Sequence, residues 1–129
     1  MGQQQLLIIV LGVIMVAVAI AVGITIFGSS SVASNKDALV NAMNNLSADA
    51  YRYRLLPSTL GGGGRTFTGY IVPSRLDSTE DGTFAPTTPV TTPDAVTFVA
   101  TSNLGFGTIT AVLDRGGKLS SFSYTGDFQ

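Results

Sequence analysis

Residues 6–27 read LLIIVLGVIMVAVAIAVGITIF. Within this run only Gly12, Gly23 and Thr25 fall outside the strongly apolar set, and the first charge anywhere in the chain is Lys36. A helix rises ~1.5 Å per residue, so the run reaches roughly 33 Å, enough to cross the hydrocarbon core of a bilayer. Ahead of it stands MGQQQ, with no lysine or arginine. A cleaved secretory signal has a shorter apolar stretch behind a basic segment, and an anchored helix normally takes its orientation from flanking cations. One economical reading is that a short basic leader once preceded Met1 and has been removed, which makes Met1 the mature terminus. The alternative keeps Met1 as the initiator residue.

The interior of the run carries a second pattern. Leu, Ile and Val alternate with small residues at Gly12, Ala17, Ala19, Ala21 and Gly23. In lipid no hydrophobic force drives helices together, and small residues let backbones approach closely. A helix that only anchors has no need of this, so the pattern points to helix–helix packing.

Moving outward, Ser29 to Leu56 contains no Gly or Pro, and Leu39, Met43, Leu46, Ala50 and Tyr53 recur at helical steps. Ser34 or Asn35 suits a fresh helix start, but nothing requires a break. The spacing predicts one helix from the N-terminus to about residue 55, stopped by Pro57 and the glycines at 61–64. Strand-like segments follow at 66–72 (TFTGYIV), 95–102, 107–114 and 118–126, the last two joined by the hairpin signal Arg115-Gly116-Gly117. Between the first two lies 74–95, whose TTPVTTP reads as extended, exposed chain. The expected class is α+β: a long hydrophobic helix whose C-terminal half packs on a small antiparallel sheet of about four strands. The divisions are 1–28 (apolar helix), 29–56 (amphipathic continuation) and 57–129 (sheet head with the 74–95 loop).

The remaining composition narrows the function classes. The chain has 129 residues, a net charge of −1, and neither Cys nor His. Disulfides and thiolate chemistry are excluded, and no basic surface for nucleic acid is indicated. Asp77, Glu80 and Asp81 lack calcium-loop spacing and read as a solvated turn. Tyr51, Arg52, Tyr53 and Arg54 read as a helix end with cations at its negative pole, rather than a stacking platform for sugars or bases. GGGGR is no phosphate loop, because no strand precedes it and no GK[ST] follows. Asn45-Leu46-Ser47 matches the N-glycosylation pattern but lies mid-helix, and the Thr-Pro segment is the candidate for O-linked sugar. No nucleophile system stands out among the serines, so no catalysis, cofactor or metal is expected.

With Gln5 and Leu6 opening the apolar run, followed by an amphipathic extension and an antiparallel sheet, the chain resembles the type IV pilins. In that family the run begins just after a polar position five from the mature terminus, usually a glutamate; Gln5 stands there in this sequence. The run here also lacks the proline many members carry, and the chain lacks their disulfide. The residue-level match is confined to about the first 25 positions. The resemblance implies a subunit processed by a prepilin peptidase, held in the inner (cytoplasmic) membrane and then polymerised by pilus assembly machinery into an extracellular helical filament. Its implied self-assembly residues are Met1, Gln5, Leu6, Gly12, Ala17, Ala19, Ala21 and Gly23, and its main partner is itself. Two other readings remain: a single-pass membrane-anchored envelope protein whose sheet domain binds a partner, and a minor pseudopilin of a secretion system.

Overall fold

The computed structural model describes residues 2–129. It is α+β: one long N-terminal helix, α1 (Gly2–Leu55), and a four-stranded antiparallel sheet. The strands β1 (Gly82–Ala85), β2 (Val96–Ser102), β3 (Thr108–Leu113) and β4 (Leu119–Tyr124) lie side by side in sequence order. Two compact units divide the chain, one ending at Ala33 and one spanning Ser34–Gln129.

In the first unit α1 is apolar on every face from Leu6 to Phe27, and its side chains are exposed from Gly2 to Ser30. Its hydroxyls turn inward on the helix itself: Thr25 Oγ1 donates to Ala21 O at 3.0 Å, and Ser29 Oγ to Thr25 O at 3.2 Å. These two hydroxyls are thereby satisfied within the helix, which suits surroundings of lipid or of other helices.

The second unit has the core. Leu39, Met43, Leu46 and Ala50 form the buried stripe of α1, continued upstream by Asn35; Tyr53 is only half-buried. Facing them are the alternate residues of the sheet: Val96, Phe98 and Ala100 on β2, Ile109, Ala111 and Leu113 on β3, and Phe84 on β1. Cross-strand partners include large beside small, Phe98 opposite Ala111 and Ala100 opposite Ile109, which lets the side chains of the layer interdigitate. Helix and sheet come close at Gly82, where an added Cβ would lie 2.7 Å from Leu39 Cδ2. Burying each of the larger aliphatic side chains contributes roughly 1.5–3 kcal/mol, so this face supplies most of the unit's stability.

Two strand-stage expectations need correction. Residues 66–72 form no strand, although Phe67, Tyr70 and Val72 are buried as their apolar pattern suggests. Their backbone bonds go to the proline segment: Phe67 N–H to Pro93 O, Gly69 N–H to Val90 O, and Val72 N–H to Pro86 O, at 2.8–3.0 Å. Pro86 and Pro93 accept but have no N–H to return, so a ladder cannot propagate. The fourth strand comes instead from inside 74–95: β1 pairs Phe84 with Ala100 and Thr83 with Thr101. The 74–95 segment is thus not a plain loop. Its Thr87–Asp94 portion is exposed apart from half-buried Val90, yet its backbone is tied down along 67–72.

Candidate assembly surface

The residues singled out for self-assembly lie on the exposed part of α1, apart from Met1, which falls outside the described residues. Gln5 is exposed, and Leu6, which opens the apolar run, is 64% exposed. At about 100° per residue, Gly12, Ala19 and Gly23 fall within about 40° of one another on one face of the helix. Ala17 and Ala21 fall on roughly the opposite face, together with Gly28. The small residues thus form two grooves, each walled by Ile, Val and Leu.

Among the described residues nothing packs against the glycines of the run. A Cβ added at Gly12, Gly23 or Gly28 would meet no atom within 4 Å beyond the helix's own adjacent backbone. Each costs about 1 kcal/mol of helix propensity relative to alanine.

At the other end of α1 the last carbonyls are satisfied by the glycine-rich collar. Gly63 N–H donates to Tyr53 O at 2.9 Å, Gly64 N–H to Leu56 O at 3.0 Å, and Arg65 N–H to Arg54 O at 2.7 Å. A side chain at Gly63 would lie 2.9 Å from the Tyr53 ring, so the close wrap requires glycine there. Tyr51, Arg52, Tyr53 and Arg54 diverge rather than forming one platform. Tyr51 packs at Gly117, Arg52 points to solvent, Tyr53 donates to Thr68 O at 3.0 Å, and Arg54 lies over Phe67 at 5.6 Å. Beside them Tyr70 donates to Asp49 Oδ2 at 3.0 Å, and burial, reinforced by the Asp49 charge, pushes its phenol well above the ordinary tyrosine range.

A polar latch that the sequence did not disclose ties the start of the second unit together. Asn35 is buried mid-helix, with Ser102 Oγ donating to its Oδ1 at 2.7 Å and its Nδ2 donating to Asp81 O at 3.2 Å. Asn103 N–H also reaches Asp81 O, at 3.1 Å. The acidic turn holding Glu80 and Asp81 is therefore fixed through its backbone, leaving both side chains exposed. Ser47 of the Asn-Leu-Ser triplet is buried, its hydroxyl bonded to Asn44 O at 2.7 Å.

Comparison of the chain with protein-family models, with curated proteins and with solved structures finds no match.

Proposed function

We propose that this chain is the structural subunit of a type IV pilus-like helical filament on the cell surface. The observation that carries the reading is the first half of α1: an uncharged helix, long and apolar enough to cross a membrane, with none of its side chains buried inside the fold. Such a surface demands lipid or copies of itself. Small-residue grooves on two opposite faces favour copies, because a helix gripped on both sides propagates an assembly where a single groove closes a dimer. The helix rests in the membrane until the assembly machinery draws it into a filament core, and the sheet unit forms the outer layer. The role is structural rather than catalytic.

Gln5 fits this change of surroundings. A lone carboxylate is costly in lipid or in a helix bundle unless it is paired, whereas a carboxamide keeps its hydrogen-bonding capacity at lower desolvation cost. Shearing cells and collecting the released material tests the proposal. A filament subunit appears full-length in the sheared fraction; a membrane-anchored monomer stays with the cells and is released only by detergent.

A further inference from the structure

Most of the charged side chains of the Ser34–Gln129 unit gather at its two ends. At the Asn35 end stand exposed Asp37, Glu80, Asp81 and Asp127. They are gathered there by the Asn35–Asp81 bond and by Lys36, whose Nζ donates to Phe128 O at 3.4 Å and lies 4.1 Å from the centre of the Tyr124 ring. Lys36 is the sole cation at this end, and it is half-buried. Arg52, Arg54 and Arg65 stand at the opposite end, where α1 stops and Arg65 N–H meets Arg54 O. Arg115 and Lys118 join them on the β3–β4 hairpin, which packs on Tyr51. Asp49, Asp94 and Asp114 are the acids there, and Asp49 accepts from the Tyr70 hydroxyl. Asp114 Oδ1 is taken up by the N–H groups of Gly116 and Lys118, and Asp94 lies 4.0 Å from Arg115, both largely exposed. Each end also shows apolar surface that the fold leaves uncovered: Leu55 and Leu60 at the basic end, 56% and 71% exposed, and Leu104 at the acidic end, 63% exposed.

We propose that the occupant of each end is a second copy of this chain, with the basic end of one unit seated on the acidic end of the next and Leu55 and Leu60 covering Leu104. Two different, complementary patches on one molecule make a heterologous contact, which generates a ring or an open helical chain rather than an isologous dimer. Exposed ion pairs contribute little individually, so the leucines supply the burial while the charges set polarity and suppress like-end encounters. The contact rests on the filament reading above, which selects an open chain over a closed ring.

The chain has no cysteine, so engineered thiols report the contact without background. In the full-length chain, Leu60→Cys combined with Leu104→Cys is expected to give a ladder of disulfide-linked multimers when cells are treated with a mild oxidant, while each single variant stays monomeric. The turn bonds at residue 81 use its backbone carbonyl, so Glu80→Lys with Asp81→Lys reverses the acidic end without removing them. That pair should abolish the ladder, as should Arg52→Glu with Arg65→Glu, and all four reversals in one chain should restore it. Sheared filaments without a ladder would overturn the end-to-end contact and leave the filament reading standing. Neither filaments nor a ladder would sink both. Dimers from a single-cysteine variant as abundant as the products of the double variant, or a ladder indifferent to the charge reversals, would also contradict the proposal.

Discussion

Asn35 and Tyr70 are buried side chains of the sheet unit whose polar atoms are committed to long-range bonds, and each makes a measurable demand. Replacing Asn35 with leucine leaves the Ser102 hydroxyl without its acceptor and the Asp81 carbonyl with one donor fewer. An unsatisfied buried group costs about 1–3 kcal/mol. For a unit of this size each kcal/mol lowers Tm by roughly 4–8 °C. Asn35→Leu should therefore melt several degrees below the parent chain in the same detergent; an unchanged Tm would mean that the latch contributes nothing to stability. Tyr70 gives a pH signature. Its phenol is held above the ordinary value of 10.0 by burial and by Asp49. The folded state thus keeps a proton that the unfolded chain releases near pH 10. The contribution of Tyr70 is fully present below that pH and is lost as pH rises through the folded value. Circular dichroism of the full chain in detergent should show alkaline destabilisation beginning near pH 10, and Tyr70→Phe should be less steep above it. Identical alkaline profiles for the two proteins would contradict this account.

At the scale of elements, the grooves of α1 make the sharpest prediction. Gly12→Ala and Gly23→Ala meet nothing inside the chain and each strengthens the helix by about 1 kcal/mol. If either lowers filament yield, the loss reports contact with another copy and not a damaged fold. Ala19→Leu and Ala21→Phe, which wedge opposite faces apart, should reduce sheared filament severely, whereas Gln5→Leu should reduce it modestly. Full loss with Gln5→Leu beside normal assembly of the alanine variants would overturn the packing argument. The long helix was legible because its signals are local: an unbroken apolar run, a helical stripe, then Pro57 and four glycines. Strands β2 to β4 were legible for the same reason, by alternation and a hairpin turn. Residues 66–72 looked like a strand because three of their side chains are buried. What their sequence could not announce was that the neighbouring segment carries prolines where donors are needed. β1 is four residues long and sits in Thr/Pro-rich surroundings, so its strand character comes from pairing with β2. The Asn35 latch lacked any local signal, as one asparagine in a helical stretch looks like surface.

On the scale of the whole molecule, the residues proposed for assembly fall into two sets with different legibility. The small residues of α1 could be read directly, because a helix converts spacing into faces by a fixed rule. The charge sorting could not, because Asp37, Glu80, Asp81 and Asp127 lie far apart in the chain and are collected only by folding. Both sets serve the claim that copies of this chain meet one another, through an apolar helix with no partner in its own fold and a sheet unit whose two ends differ in sign. Cryo-electron microscopy of material sheared from cells tests that claim most directly. The account predicts helical filaments in which residues 2–30 form unbroken helices packed against one another at the axis, with the sheet units outside. Filaments built from other proteins, with this chain retained in the membrane fraction as a monomer, or a map showing extended chain between Gly12 and Gly23, would contradict it.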